Sequence, residues 1–198
     1  MRYQWRRQRR SGWTLLLLFA LIGAMALAWY GRLDPGVTAD APLAGEEGLE
    51  EPEQKLIALT FDDGPRRSTT TELLDGLAQR GVKATFFLIG AQVEANRDVV
   101  RRMDREGHQI GIHTYDHVKL TDLNRTDFDA QVEKTRAELV AALDHNDFLL
   151  RPPYGMLDDS VKAWAGCPII LWSIDPEDWN DQNADRVVQE VVSQARDG

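Results

Sequence analysis

Two adjacent carboxylates, Asp62 and Asp63, are residues whose types could do chemistry together. They lie between a short apolar run and Gly64-Pro65, a dipeptide that favours a turn. Two neighbouring acids repel each other unless a cation or a proton gives them different roles. Because an Asp-Asp-Gly-Pro string by itself is most often a plain turn, the pair indicates chemistry only in combination with other polar groups.

A second candidate is the pair His113 and His117, four residues apart. If this segment enters a helical turn, the spacing places both imidazoles on one face. Two histidines and one carboxylate are a familiar ligand set for catalytic zinc, and they leave room for water and substrate. The pair alone is a weak indication of a metal site. His108 and His145 lie outside this pattern, and we interpret both as surface or structural histidines.

Two further polar segments follow apolar runs later in the chain. Arg151 opens the segment Arg-Pro-Pro-Tyr-Gly and could pair with a carboxylate at the same edge of a sheet. Because the two prolines have no N–H, Tyr154 offers the next free amide donor. Asp178 and Trp179 belong to the segment Asp-Pro-Glu-Asp-Trp, which in isolation would be interpreted as a solvated acidic turn.

The elements that must position these groups alternate between strands and helices from residue 55 onward. Short runs rich in Ile, Leu and Phe predict strands buried on both faces, and amphipathic stretches between them predict helices. This alternation predicts a parallel sheet whose polar groups gather at the carboxyl ends of the strands, where all four polar segments fall. The predicted strands are residues 56–61, 84–89, 109–113, 148–150 and 168–174, and the predicted helices are about 69–81, opened by a Thr69-x-x-Glu72 capping box, 91–106, 126–143, 159–165 and 184–195.

The amino-terminal part of the chain is predicted to carry the folded domain across a membrane. Residues 1–12 form a basic cytoplasmic segment, 13–30 a transmembrane signal-anchor, 31–54 a linker and 55–198 the folded domain. The 21 uncharged residues between Arg10 and Arg32 roughly match the ~30 Å core of a bilayer, and the preceding arginines favour a cytoplasmic amino terminus. We expect a single-pass bacterial membrane protein with an extracytoplasmic domain, or a secreted one if a signal peptidase cleaves after Ala28.

Charge and cysteine content narrow the classes of partner. The formal net charge is −9, and residues 33–198 carry 17 basic and 32 acidic side chains. Nucleic-acid affinity comes largely from basic contacts, so we expect no nucleic-acid partner, and a neutral substrate fits the charge better. Cys167 is the only cysteine, and we interpret it as a small buried hydrophobic residue. The sequence indicates no oligomeric state.

From about residue 56 to its end, the sequence resembles the polysaccharide deacetylases of the NodB-homology type, carbohydrate esterase family 4. It is most like the N-acetylglucosamine deacetylases that act on peptidoglycan and chitooligosaccharides. The four polar segments, which begin at Thr60, His113, Arg151 and Asp175, look like the first four motifs of the family. The resemblance implies an α/β fold, a distorted parallel (β/α) barrel, that removes acetyl groups from N-acetylglucosamine polymers or acetylated xylans.

The resemblance also implies a metal-dependent hydrolase. Asp63, His113 and His117 would hold a divalent metal, with Zn²⁺ expected and Co²⁺ as the alternative. Asp62 would be the general base, and Arg151 would orient it. An amide carbonyl is a poor electrophile, so a Lewis acid and an activated water fit the chemistry that the reaction needs.

Three further roles and one departure follow from the same resemblance. The Tyr154 amide would help bind the oxyanion, Asp178 would tune a catalytic histidine, and Trp179 would help wall the sugar pocket.

The family takes its general acid from a fifth motif, Leu-x-His, on a later strand. This sequence ends at Gly198 before such a motif, and we expect that it is an incomplete version of a longer protein.

Three functions are compatible with these patterns. The preferred one is removal of N-acetyl groups from an N-acetylglucosamine-containing polysaccharide, with peptidoglycan as the leading substrate and xylan O-deacetylation as a variant. The second is a glycan-binding pseudoenzyme that lacks the general-acid histidine. The third is another extracytoplasmic metal hydrolase, such as a nuclease or phosphatase, which the acidic composition disfavours.

Overall fold

The computed structural model describes residues 55–197. The predicted cytoplasmic segment, signal-anchor and linker lie outside these residues. Within the described part of the chain, the helices are too short or too polar to cross a membrane.

Four parallel strands form the sheet on which the polar segments are arranged. The strands occur in the sheet in the same order as in the chain, so their carboxyl ends meet at one edge. The predicted α/β class with a parallel sheet is therefore confirmed, whereas closure into a barrel stays a prediction. The strands are β1 (Thr60–Gly64), β2 (Thr85–Leu88), β3 (Gln109–Ile112) and β4 (Leu149–Leu150).

Helices follow the strands and cover the sheet with their apolar residues. The first of them buries Leu74 and Leu77, and the longest buries Phe128, Val132 and Leu139 in the same core. Burial of such side chains on one stripe of each helix holds the helices against the sheet. The helices are α1 (Arg67–Gln79), α2 (Gly90–Val93), α3 (Arg97–Arg105), α4 (Arg125–Leu143), α5 (Asp159–Trp164) and α6 (Ala184–Gln194), with 3-10 turns at Glu94–Asn96, Leu120–Asp122 and Pro153–Gly155.

The fifth predicted strand, residues 168–174, is wrong as a strand. Ile169 makes only an isolated parallel bridge to Leu150 of β4. The carbonyl groups of Ile170 and Leu171 accept hydrogen bonds from the Arg151 side chain instead of from a neighbouring strand. The next ladder bond would come from residue 152, but Pro152 has no N–H, and the Arg151 side chain donates to the carbonyl groups left free.

Two details of the predicted helices are also wrong. The helix predicted over 91–106 is divided into α2, a 3-10 turn and α3, because Asn96 leaves the helical conformation and its side chain donates to the Gln92 carbonyl oxygen. The capping box predicted at Thr69 does not form, and α1 begins at Arg67. The Thr70 hydroxyl instead accepts a hydrogen bond from the Arg66 amide.

Gly111 of β3 lies where the sheet leaves no room for a side chain. A Cβ atom at this position would lie 2.4 Å from Cδ1 of Phe87 and 3.1 Å from the carbonyl oxygen of Leu149. Phe87 is fully buried, so it cannot move aside without disturbing the core. We expect Gly111→Ala to lower the free energy of unfolding by about 1–3 kcal/mol, measured by urea denaturation.

Gly76 provides the matched control for this substitution. It lies in α1, and a Cβ there would meet only the flexible end of Arg80 at 3.6 Å. Gly76→Ala should therefore raise the free energy of unfolding by about 0.5–1 kcal/mol through the helix preference of alanine. Equal urea midpoints for the two variants would contradict the close packing of β3 against Phe87.

Candidate metal centre

One carboxylate and two imidazoles converge at the carboxyl edge of the sheet. Oδ1 of Asp63 lies 3.2 Å from Nε2 of His117 and 3.5 Å from Nε2 of His113. The three ligand atoms lie within 4.8 Å of one another, and the two imidazole centroids are 5.0 Å apart. The three residues that the sequence predicts as metal ligands are thus brought together with one ligand atom each facing a common point.

His113 is prepared to offer the lone pair of Nε2. Its ring is buried, and Nδ1 lies 2.7 Å from the carbonyl oxygen of Arg151, so Nδ1 carries the proton and donates it to that carbonyl. Burial lowers the pKa of His113 below its ordinary value, although the nearby Asp62 carboxylate acts in the opposite direction. A neutral imidazole with Nε2 unprotonated is the form that a metal ion requires.

A bulge in β1 lets two consecutive acids face the same site. Phe61 pairs with Phe86 and Gly64 pairs with Leu88, so Asp62 and Asp63 together fill the place of a single strand residue. In a regular strand their side chains would point to opposite faces of the sheet. The bulge, with Asp63 at φ 64°, removes this alternation and allows both carboxylates to reach the histidines.

Asp62 is held by Arg151 rather than by the two histidines. Nη1 of Arg151 donates to Oδ1 of Asp62 at 2.7 Å, whereas Oδ2 of Asp62 lies 3.9 Å from Nε2 of His113. The side chain of Asp62 is 28% exposed and that of Arg151 is 3% exposed. One oxygen of Asp62 is therefore occupied by the guanidinium, and the other faces the space beside the three ligand atoms.

The Arg151 guanidinium is fixed on several sides. Besides Asp62, it donates to the Thr60 hydroxyl at 2.8 Å, and its Cζ atom lies 4.1 Å from the centre of the Phe87 ring. Its other donors reach the carbonyl oxygens of residues 170 and 171. The sequence analysis predicted that Arg151 pairs with a carboxylate, but it did not predict the hydrogen bond to Thr60. The only feature of the sequence that could have indicated this role is the position of Thr60, two residues before Asp62.

Left-handed backbone conformations are concentrated in the four polar segments. Non-glycine residues with positive φ in these segments are Asp63, Thr114, His117, Tyr154 and Glu177, at 52° to 64°. Such conformations are unfavourable for residues with a side chain and tend to gather at functional sites. Thr114 and His117 both belong to the segment that carries the histidines. That segment therefore does not form the helical turn that the spacing of the histidines suggested.

The remaining predicted site residues are more exposed. The ring of Tyr154 packs 4.9 Å from that of His117, and the residue is 57% exposed at the rim of the site. Trp179 is 74% exposed. Asp178 is also exposed. The structure thus brings Tyr154 to the site, and the role predicted for Asp178 stays a prediction.

The two other histidines lie before strands, at the opposite edge of the sheet from the site. His108 directly precedes β3, is buried, and accepts a hydrogen bond at Nδ1 from the Ala84 amide. His145 precedes β4 and lies 3.3 Å from an oxygen of Asp104. Their contacts fit the structural and surface roles that the sequence suggested.

The chain is similar in sequence to known proteins. Residues 50–166 match the protein family described as Polysaccharide deacetylase. The chain is 38% identical over 153 residues to the peptidoglycan-N-acetylmuramic acid deacetylase PdaC of Bacillus subtilis, covering 77% of this chain and 33% of that protein. It is 43% identical over 144 residues to the peptidoglycan-N-acetylglucosamine deacetylase PgdA of Listeria monocytogenes, covering 73% of this chain and 31% of that protein.

A solved structure shows the same arrangement of elements. The structure of peptidoglycan deacetylase PdaC from Bacillus subtilis aligns with a TM-score of 0.72 at 38% identity, covering 74% of this chain and 73% of that one. The matched region spans about a third of the full length of the two curated relatives.

Proposed function

Because the chain belongs to the polysaccharide deacetylase family, we propose that it is a metal-dependent hydrolase that removes N-acetyl groups from an N-acetylglucosamine-containing polysaccharide. Peptidoglycan is the favoured substrate, since PdaC and PgdA are named as peptidoglycan deacetylases. The observation that carries the proposal is the convergence of Asp63, His113 and His117 beside a fourth polar group, Asp62, that is held separately by Arg151.

The donor set fits a borderline divalent ion. Two imidazole nitrogens and one carboxylate oxygen suit Zn²⁺, and Co²⁺ accepts the same ligands. His113 is held with Nε2 free to coordinate, and the Asp63 oxygen lies 3.2 and 3.5 Å from the two imidazole nitrogens, separations typical of neighbouring ligands around one ion. Bound there, the ion would polarise the acetyl carbonyl and lower the pKa of an attacking water.

Asp62 is proposed to be the general base. Its Oδ2 faces the ligand atoms without a hydrogen bond to either histidine, so it can accept a proton from a water beside them. Arg151 holds the other oxygen and thereby fixes the direction of the free one. The Tyr154 amide is proposed to donate to the oxyanion that forms when water adds to the carbonyl, and losing such a donor typically costs about 2.7–4 kcal/mol.

The departing amine must receive a proton before the tetrahedral species collapses. Neither His108 nor His145 can provide it, because both lie at the other edge of the sheet. The family resemblance implies that a Leu-x-His motif supplies such an acid. We propose that Asp178 tunes a catalytic histidine, that Trp179 walls the sugar pocket, and that the sheet belongs to a distorted (β/α) barrel.

A second candidate function is favoured by the position of those two histidines. If no acid from outside residues 55–197 reaches the site, the metal centre would bind an acetylated glycan and turn it over slowly or not at all. Acetate release from peptidoglycan, chitin oligomers and acetylated xylan distinguishes the cases. Release of acetate by the Zn²⁺-loaded 198-residue chain would support the deacetylase, and the rates would rank the substrates. Binding of the glycan without release would support the glycan-binding pseudoenzyme. Cleavage of a phosphodiester instead would overturn both proposals.

Loss of a ligand should strongly weaken metal binding without unfolding the protein. We expect His117→Ala to weaken Zn²⁺ binding by at least about 100-fold, beyond the 10–100-fold typical for partners outside the ligand shell. Competition with a chromophoric chelator measures this affinity. His145→Ala, a histidine at the opposite edge of the sheet, is the matched control and should bind Zn²⁺ like the wild type. Equal affinities for the two variants would contradict the metal centre.

The location of the domain is a proposal of the same kind. We propose that residues 13–30 anchor the protein in a bacterial membrane with residues 55–198 on the outer side, where a cell-wall polysaccharide is accessible. Protease accessibility of the domain in intact cells tests this arrangement. Protection from the protease until the cells are lysed would contradict it.

A further inference from the structure

The segment between the two histidine ligands is held from one side by the start of α2. The amide of Gly90 donates to the carbonyl oxygen of Thr114, and the amide of Ala91 donates to that of Tyr115, both at 3.0 Å. The approach is close, because a Cβ on Gly90 would lie 2.6 Å from the Tyr115 ring. The carbonyl groups of the segment thus have fixed partners, but its amides do not find theirs in α2.

Gln131 of α4 provides the partners for these amides. Its Oε1 accepts hydrogen bonds from the amides of Tyr115 and Asp116, each at 2.9 Å. Its Nε2 donates to Oδ2 of Asp116 at 2.8 Å. A single carboxamide therefore makes three hydrogen bonds to two consecutive residues of the segment, using both its acceptor and its donor ends.

The position of Gln131 is set by the core of the domain. Its neighbours Phe128, Val132 and Thr135 are buried beneath α4, and Gln131 itself is partly buried. Lys134, one turn along the same helix, lies 3.6 Å above the centre of the Tyr115 ring. The carboxamide is thus presented by a rigid helix rather than by another loop.

These contacts matter because the segment adopts an unfavourable backbone. Thr114 and His117 both have left-handed conformations, at φ 62° and 57°. A segment in such a conformation persists only when its surroundings determine it. Its conformation sets the separation and direction of His113 and His117, whose Nε2 atoms must both face Asp63.

We propose that Gln131 is a positioning residue of the metal centre. It holds residues 115 and 116 so that the two histidines keep the spacing that a single ion requires. The inference rests on the proposed metal site, and metal binding, unlike activity, tests it without a catalytic acid.

The first test replaces Gln131 with methionine, which keeps the length and helix preference but removes all three hydrogen bonds. We expect Gln131→Met to bind Zn²⁺ about 10–100-fold more weakly than the wild type, the range found for partners outside the ligand shell. Ala137→Met, at an exposed position of the same helix, is the matched control and should keep the wild-type affinity. The thermal midpoints of the metal-free proteins are measured alongside.

The second test reverses the direction of the hydrogen bond between the side chains of Gln131 and Asp116 instead of deleting it. In Gln131→Glu the new carboxylate keeps the acceptor for the two amides but faces the Asp116 carboxylate, and we expect weaker Zn²⁺ binding. Adding Asp116→Asn supplies a donor in the reverse direction and should restore the affinity to within about threefold of the wild type. Ala137→Glu adds the same charge away from the segment and should leave the affinity unchanged.

The outcomes separate positioning from general stability. Wild-type Zn²⁺ affinity in Gln131→Met, with or without a lower thermal midpoint, would overturn the inference. Failure of Asp116→Asn to rescue Gln131→Glu would also overturn it. A wild-type protein that binds no Zn²⁺ would remove the metal site itself, and the inference with it.

Discussion

Replacing Asp62 with asparagine is expected to lower the rate of acetate release by roughly 10²–10⁴-fold, the usual contribution of a general base. Asparagine preserves the shape of the side chain, and its oxygen can still accept the hydrogen bond that Arg151 donates to Oδ1 of Asp62 at 2.7 Å. The other end of the side chain becomes an NH₂ group, which cannot accept a proton from water. The experiment compares Asp62→Asn with wild type in Zn²⁺ affinity and in turnover of a substrate from which the wild type releases acetate.

Affinity and rate should separate in this variant. Because Oδ2 of Asp62 is 3.9 Å from Nε2 of His113 and outside the ligand set, Zn²⁺ affinity should change by less than about threefold. Asp159→Asn, which alters a fully exposed acid at the start of α5, is the matched control and should retain the wild-type rate. A large loss of Zn²⁺ affinity would make Asp62 a ligand, and an unchanged rate would exclude it as the base.

Replacing Arg151 with methionine is expected to lower the free energy of unfolding by about 3–5 kcal/mol, as for other broken buried ion pairs. Methionine fills part of the volume over Phe87 but leaves the Asp62 carboxylate and the carbonyl groups of residues 170 and 171 without their donor. The side chain of Asp62 is 28% exposed, so water repairs part of the loss and the lower end of the range is expected. Urea denaturation of the metal-free protein measures the change.

Two further variants test whether the loss of stability comes from the several hydrogen bonds that the Arg151 guanidinium donates. Arg151→Lys keeps the charge but cannot reach Asp62 and both carbonyls together, so its stability should lie between those of Arg151→Met and wild type. Arg125→Met breaks an exposed pair with Asp129 and should change the free energy of unfolding by no more than about 0.5 kcal/mol. An Arg151→Met protein as stable as Arg125→Met would show that the buried network contributes little.

Arg151 contacts both the proposed general base and one of the proposed metal ligands. Its side chain fixes Asp62, while its backbone carbonyl accepts the Nδ1 proton of His113. The proposed base and one metal ligand are therefore oriented by the same residue at the end of β4. Displacement of this backbone would alter both functions at once, whereas the side-chain variants change mainly the base and the stability.

Much of the architecture follows from local patterns in the sequence. The first four strands were predicted within a few residues because buried parallel strands are short apolar runs, and helices are distinguished by their longer period. The polar segments begin where those runs end, which is enough to place Asp62, Asp63, His113 and Arg151 at one edge of a parallel sheet. The predictions for residues 1–54 stay predictions.

The failures of the sequence patterns have tertiary causes. The run 168–174 has the composition of a strand, but its pairing with β4 stops at Pro152, which has no N–H, and the Arg151 side chain donates to the carbonyl groups of Ile170 and Leu171 instead. The helix predicted over 91–106 is interrupted because the side chain of Asn96 competes for the carbonyl oxygen of Gln92. In both cases a side chain replaces a backbone partner, which composition and period do not report.

The sequence by itself determined the residue types at the site, since the order of strands and the placement of polar residues after them are local properties. Tertiary structure alone decided how those residues face each other. The bulge that turns Asp62 and Asp63 toward one side depends on pairing with β2, and the Nδ1 proton of His113 depends on a carbonyl 38 residues away. Gln131 carries no local signal, because its role exists only where α4 packs beside the histidine segment.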